Sequence, residues 1–303
     1  MSPGILVAAD GTRGGMDALR LARRLAEREG ARVEVLAIHD PSNLRLEGAA
    51  TTPGAAAGSG GTEAVRALRS RIRAQLRDVG GGAEDWPLTV EVGRVARGIA
   101  SWATQHEVGR ILIGLNDADP AERWLGRESL LELIRLVDVP VLGVPAGASN
   151  LPRCVIVAVD FSKYSLEIAR EALEDLEPGA QLHLVKVTPA GTALAGTERL
   201  SVERQLTELA CELEIPGIAA VETHLLSGDP ADEILRLAGR VGAELIAAGS
   251  HGASYPGQLL PGDVYGKLVH QAECALLIGP PRGMRPRAKA PLEGYEVPQT
   301  VVA

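Results

Sequence analysis

Two stretches of this chain, 150 residues apart, carry one pattern. Ile5-Leu-Val-Ala-Ala-Asp10-Gly-Thr12 is answered by Val155-Ile-Val-Ala-Val-Asp160-Phe-Ser162. Gly93-Arg-Val-Ala-Arg-Gly-Ile99 is then answered by Gly228-Asp-Pro-Ala-Asp-Glu-Ile234, and Val139-Pro-Val-Leu-Gly-Val-Pro145 by Cys274-Ala-Leu-Leu-Ile-Gly-Pro280. Three landmarks in one order mark an internal repeat, and its period is too long for a solenoid. A chain of 303 residues is also the length at which two domains of about 150 residues are expected. The expected domains are residues 1–148 and 149–281, followed by a tail over 282–303.

Within each copy, short apolar runs alternate with segments of helical period. Ile5 to Ala9, Val33 to Ile38, Leu88 to Val92, Ile111 to Ile113 and Val141 to Val144 read as strands of the first copy. Val155 to Val159, Leu182 to Val187, His224 to Leu226, Leu245 to Ala248 and Ala275 to Ile278 read as strands of the second. Val65, Leu68, Ile72, Leu76 and Val79 keep the three/four spacing of one helix face, as do Val202, Leu206, Leu209 and Leu213. Near-continuous apolar strands joined by helices imply a parallel sheet covered on both faces, with right-handed crossovers. The expected class is therefore α/β: two tandem doubly wound domains, each a five-stranded parallel sheet. An apolar last strand is a liability unless it is paired. The two last strands are accordingly expected to pair with each other about a pseudo-two-fold axis, as an internal pseudo-dimer; a further homodimer of whole chains is compatible with this.

Composition narrows the partners. Hydrophobic residues make up 46% and charged residues 23%, which allows an ordinary buried core, and with aromatics at 3% that core must be aliphatic. A net charge of −8 and a pI near 5.4 argue against the polyanionic surface of nucleic acid. Three cysteines without Cys-x-x-Cys spacing suggest reduced thiols. No uncharged apolar run reaches 18 residues and no basic leader precedes Ile5, so a cytoplasmic protein with no membrane partner is expected. Glu47 to Thr62, rich in Gly and Ala, reads as a lengthened loop. The stripe Arg66, Arg69, Arg73 and Arg77 reads as a solvated helix face.

The most informative stretch runs from Glu244 to Pro280. Leu245 to Ala248 ends at Gly249, Gly252 follows, nine residues separate it from Gly262, and Asp263 opens a helical segment. Glycines there let backbone N–H groups approach an anion, and a helix N-terminus adds partial positive charge, as in a phosphate cradle. A tight turn without ligand would use the same glycines. The spacing matches neither the P-loop nor the dinucleotide Gly-x-Gly-x-x-Gly. It resembles the G-x2-G-x9-G-(Ser/Thr) pattern of the universal stress protein family, with Asp263 in place of the hydroxyl. With the Asp that closes each first strand and the Gly-x-Pro-Ala-x-x-Ile stretch at Gly228, the resemblance spans Ile5 to Pro280.

The resemblance implies a cytoplasmic stress-response protein, some of whose relatives bind ATP or AMP and others not, with no established catalysis. The adenine end would lie against Asp160, Phe161, Ser162 and Val187. The phosphates would lie on Ala248, Gly249, Gly252, Gly262, Asp263 and Val264, with His251 beside them either as a phosphate contact or in a loop role. Asp160 could equally be a loop carboxylate serving the next helix, which Ser162 is placed to cap. Asp263 suits a helix N-cap but repels phosphate, unless Mg2+ or Mn2+ bridges the two. In the first copy the loop is degenerate: one register puts Gly114, Asp117 and Arg127 at the glycine positions, the other Leu115, Ala118 and Glu128. Asp10 and Ile38 keep the adenine-side positions, but Asp117, Asp119 and Glu122 bring carboxylates, so this half is expected to be structural, its acids a solvated loop. No catalytic residue and no metal ligand set is assigned. Two readings stay open: a nucleotide-responsive regulator, and an interaction protein that binds other proteins and no nucleotide. Slow ATP hydrolysis is a weaker third.

Overall fold

A computed structural model describes residues 4–41, 59–106, 108–115, 120–189, 196–213, 218–249 and 262–279. By their contacts the residues form two compact units. One gathers the described residues up to Val137 with Val144–Ser149; the other gathers Asp138–Gly143 with those from Asn150 onward.

The first unit alternates strand and helix: β1 (Gly4–Ala8), α1 (Arg13–Glu29), β2 (Val33–His39), α2 (Ser59–Val79), β3 (Leu88–Val92), α3 (Val95–Gln105), β4 (Val108–Leu115) and α4 (Pro120–Leu136); β5 (Val141–Pro145) follows, with residues 141–143 grouped with the second unit. The strand order of the first unit is β3-β2-β1-β4. β1 runs parallel to both β2 and β4, with Val7 beside Val35 and Leu112. The second unit repeats the plan: β6 (Cys154–Ala158), α5 (Lys163–Glu174), β7 (Ala180–Thr188), α6 (Gly196–Glu212), β8 (Ile218–Ser227), α7 (Pro230–Val241), β9 (Leu245–Gly249), α8 (Gly262–Gln271) and β10 (Ala275–Gly279). Its order, β10-β9-β6-β7-β8, is parallel throughout. The doubly wound α/β class read from the sequence is the one found. Residues 141–143, which belong with the second unit, pair antiparallel with β10, Leu277 opposite Leu142. This covers the apolar edge that β10 would otherwise expose.

Local chemistry explains the element ends. Thr12 caps α1 by accepting from the Gly15 N–H at 3.2 Å, and Gly30, at φ 64, closes it with its N–H on the Ala26 carbonyl. α7 starts with Asp229 accepting from the Asp232 N–H, has Pro230 in its first turn, and stops at Gly242 in the left-handed region. Leu6, Val7, Ile111 and Leu112 in one unit, and Ile156, Val157, Leu184 and Ile246 in the other, are fully buried. At about 1.5–3 kcal/mol each, such side chains supply the drive to stack helices on both sheet faces.

Some expectations change. β8 has ten residues where three were read, because Glu222 and Thr223 on this outermost strand face solvent and break the apolar run. Ser59 to Thr62, read as the end of a loop, form the start of α2, while 47–58 and the tail lie outside the described residues. The arginine stripe is not wholly solvated: Arg73 donates to the carbonyls of Glu84 and Trp86 and ties α2 to the turn before β3. No helix among the described residues is long and apolar enough to cross a membrane.

Candidate functional site

In a doubly wound sheet, ligands settle outside the carboxyl ends of the strands where the order reverses. In the second unit that point lies between β6 and β9, which run side by side with Ala158 next to Ala248. The register places Asp160, just past β6, near Gly249, the last residue of β9. β7 flanks β6 on the other side, and the Val159 N–H donates to the Val185 carbonyl at 2.9 Å. Asp160, Phe161, Ser162, Val187, Ala248 and Gly249 are thus gathered at one edge of three neighbouring strands.

The Asp160 carboxylate organises the turn after β6. Its Oδ1 accepts the Ser162 N–H at 2.9 Å and the Ser162 hydroxyl at 2.6 Å. Ser162 occupies the N-cap position of α5, but its side chain makes no capping bond, contrary to expectation; the hydroxyl is committed to Asp160 instead. Between them Phe161 sits at φ 66, a conformation that a bulky residue holds at a cost of about 1–3 kcal/mol. Lys186 Nζ lies 5.4 Å from the centre of the Phe161 ring, within cation–π range. Burial lowers the Lys186 ammonium below its ordinary range, while the Asp160 charge pulls it partly back. Sequence reasoning passed over this lysine. The signal was there, a single cation inside the apolar run from Leu182 to Val187, but no motif marks it.

The remaining predicted residues that are described belong to the strand that ends at Gly249 and the helix that starts at Gly262. Ala248 is buried in β9, which ends at Gly249. α8 begins at Gly262, so Asp263 is its second residue rather than the cap that was expected, and Val264 follows, partly buried. His251 and Gly252 lie outside the described residues.

The first unit departs from this arrangement at the corresponding point. Asp10 accepts the Thr12 N–H at 2.9 Å and also the Thr12 hydroxyl, so the turn itself is kept, with Gly11 at φ 80 in the place of Phe161. From α2, Gln75 donates to the Thr12 carbonyl at 2.9 Å, and the Arg71 stem lies over Gly11, 2.4 Å from where a Cβ would stand. The start of α1 closes on the end of β4: a Cβ on Gly14 would stand 2.2 Å from the Leu115 carbonyl oxygen, and one on Gly114 would stand 2.3 Å from the Gly15 nitrogen. This backbone-to-backbone approach occupies the switch point between β1 and β4. Asp117 and Asp119 lie outside the described residues.

The repeat and its paired turns are matched in known proteins. A family model described as the Universal stress protein family matches residues 1–145 and again residues 153–280. The chain belongs to that family. Universal stress protein MJ0531 of Methanocaldococcus jannaschii is 30% identical over 145 residues, 44% of this chain and 84% of the relative. A universal stress protein from Archaeoglobus fulgidus is similar in structure at TM-score 0.64 and 17% identity, over 92% of this chain and 99% of that one. The functionally unknown protein PA1789 from Pseudomonas aeruginosa is similar at TM-score 0.62 and 14% identity, over 92% of each. At such identities the structural likeness speaks for the shared fold alone. As a universal stress protein the chain is a tandem member, with both copies recognisable.

Proposed function

We propose that this universal stress protein is a cytoplasmic stress-response regulator that binds an adenine nucleotide, ATP or AMP, in its second unit and uses the first as a structural partner. The reading rests on the contrast between the two switch points. In the second, Asp160 orders the turn at the end of β6, Gly249 ends β9 on the neighbouring strand, and α8 starts at Gly262. In the first, the glycines of α1 and the end of β4 occupy that space with main chain. Tyr164 and Ser165 stand in the sequence of the second copy where Gly14 and Gly15 stand in the first.

In this reading Asp160 accepts a hydrogen bond from the adenine amine or a ribose hydroxyl, and the phosphates meet the loop and the N-terminus of α8. Asp263 near the phosphates makes Mg2+ or Mn2+ a natural third party. No chemical step is included, and the output is a surface offered to other proteins. Calorimetric titration with ATP and with AMP, each with and without Mg2+, tests the proposal. Binding of one nucleotide per chain, weakened by Asp160→Ala and unaffected by Asp10→Ala, is expected. No binding under any condition would leave the nucleotide-free interaction protein as the function, and sensitivity to Asp10→Ala alone would move the site to the first unit.

A further inference from the structure

A second cluster of chemically capable side chains lies on β7 and β8, away from the turn of Asp160. The parallel register sets His183 beside Glu222 and Val185 beside His224. Register partners share a sheet face, and so do residues two apart on a strand, so His183, Glu222 and His224 project together. His183 Nδ1 lies 3.0 Å from His224 Nε2 and 3.6 Å from Glu222 Oε2, and His224 Nε2 lies 3.9 Å from that same oxygen. Nitrogen and oxygen ligands about 2.0–2.2 Å from a tetrahedral zinc ion stand roughly 3.3 Å apart, so three donor atoms already sit near the corners of one coordination shell.

We propose that His183, Glu222 and His224 form a binding site for a divalent first-row transition ion, Zn2+ by donor set and geometry, with the fourth position left to water. Two imidazoles and one carboxylate are the donors such ions select, and Ca2+ or Mg2+ would require more oxygens. The site has a rigid floor and an open mouth. His183 is buried at 3% exposure, while the Glu222 side chain, at 59%, faces solvent at the outermost strand, which gives an ion its way in.

The fold does not demand this trio. Taking Ile38 as the counterpart of Val187 and following the strand registers, the first copy has Glu34, Pro87 and Thr89 at these places, and Glu34 there accepts a hydrogen bond from the Trp102 indole. Two features limit the affinity. Arg240 of α7 acts on His224 with a like charge to the ion. His183 Nε2, buried, has no hydrogen-bond partner among the described residues, so the ring lacks the outer contact that usually orients a ligating histidine, an absence that weakens binding by a factor of order 10–100.

The test uses the full-length chain, free of any affinity tag, stripped with EDTA and titrated with Co2+ as a visible probe and then with Zn2+ in competition. The expected result is one Co2+ per chain with the intense visible bands of a tetrahedral site, displaced by Zn2+. Glu222→Gln and His224→Gln should each weaken binding at least tenfold, about 1.4 kcal/mol. Because Glu222 is solvent-facing, Glu222→Gln keeps the fold, checked by circular dichroism, and still reports on the site if the His224 variant misfolds. Absence of saturable binding at one per chain would overturn the proposal, as would affinity unchanged in the folded Glu222→Gln protein.

Discussion

Gly14 at the start of α1 lies directly against the carbonyl oxygen of Leu115 at the end of β4, so closely that a Cβ would stand 2.2 Å from it. Gly14→Ala must therefore push the helix off the strand. Overpacking of this kind costs typically 1–3 kcal/mol, and here the obstacle is main chain, which cannot swing aside. All three tryptophans, Trp86, Trp102 and Trp124, fall in the first copy, so their fluorescence follows this unit. Denaturant unfolding followed by tryptophan emission should shift to a lower midpoint in Gly14→Ala. An unchanged midpoint would mean that the contact is not held in solution.

The same tryptophans give a test of which copy takes nucleotide. If ligand enters only beside Asp160, saturating ATP should leave the emission nearly unchanged while calorimetry registers binding. Trp102 stacks on His106, with ring centroids 3.9 Å apart, and donates to Glu34, so its emission follows the packing of the first unit. Strong quenching by ATP would point to a site in the first unit.

The sequence made the strands legible because both faces of each sheet are covered, and buried parallel strands are written as unbroken apolar runs. It hid β8 for the same reason in reverse: on an outermost strand the consecutive polar residues Glu222, Thr223 and His224 interrupt the apolar run, and only the short stretch from His224 to Leu226 stood out. The Asp160 turn could be read from a repeated Asp-x-(Ser/Thr), since the carboxylate and the hydroxyl two residues on are local partners. Lys186 reaching Phe161, and His183 meeting His224 across 41 residues, could not be read this way, because strand register, not sequence spacing, brings them together. A search for histidine pairs at helical spacing misses a cluster whose spacing is that of a strand.

Thiol chemistry should separate the three cysteines. Cys211 is exposed, Cys154 is buried with its Sγ 3.5 Å from the Val241 carbonyl, and burial pushes the Cys274 thiol up to about 11. Burial, then the charges of Glu244 and Glu222, also raises Cys154. The thiolate is the reacting form, so a raised value means less of it at any pH below that value. At pH 8 a thiol held near 11 is only about one part in a thousand thiolate, so Cys274 reacts slowly. Ellman titration of the native protein at pH 8 should show one fast thiol and two slow ones, with the slow phase accelerating as pH rises, and Cys211→Ser should abolish the fast phase. Three equal fast thiols would contradict this packing.

The sharpest question about the nucleotide site is the carboxylate at position 263. Asp263 is the second residue of α8, where a negative side chain favours the helix by about 0.3–1 kcal/mol through its dipole. Against a bound phosphate the same charge is adverse: two unit charges about 4 Å apart at an effective dielectric near 20 repel by ~4 kcal/mol, an upper limit that salt and water reduce. Asp263→Ser should therefore leave the fold almost as stable and, in metal-free buffer, tighten ATP more than AMP, because the gain grows with phosphate charge. In Mg2+ or Mn2+ the sign should reverse if a cation bridges Asp263 to the phosphates, since the substitution removes one of its ligands. Calorimetric titrations of both nucleotides, with and without the metal, separate these outcomes. Identical affinities for the folded variant and the parent protein under every condition would show that position 263 does not face a phosphate.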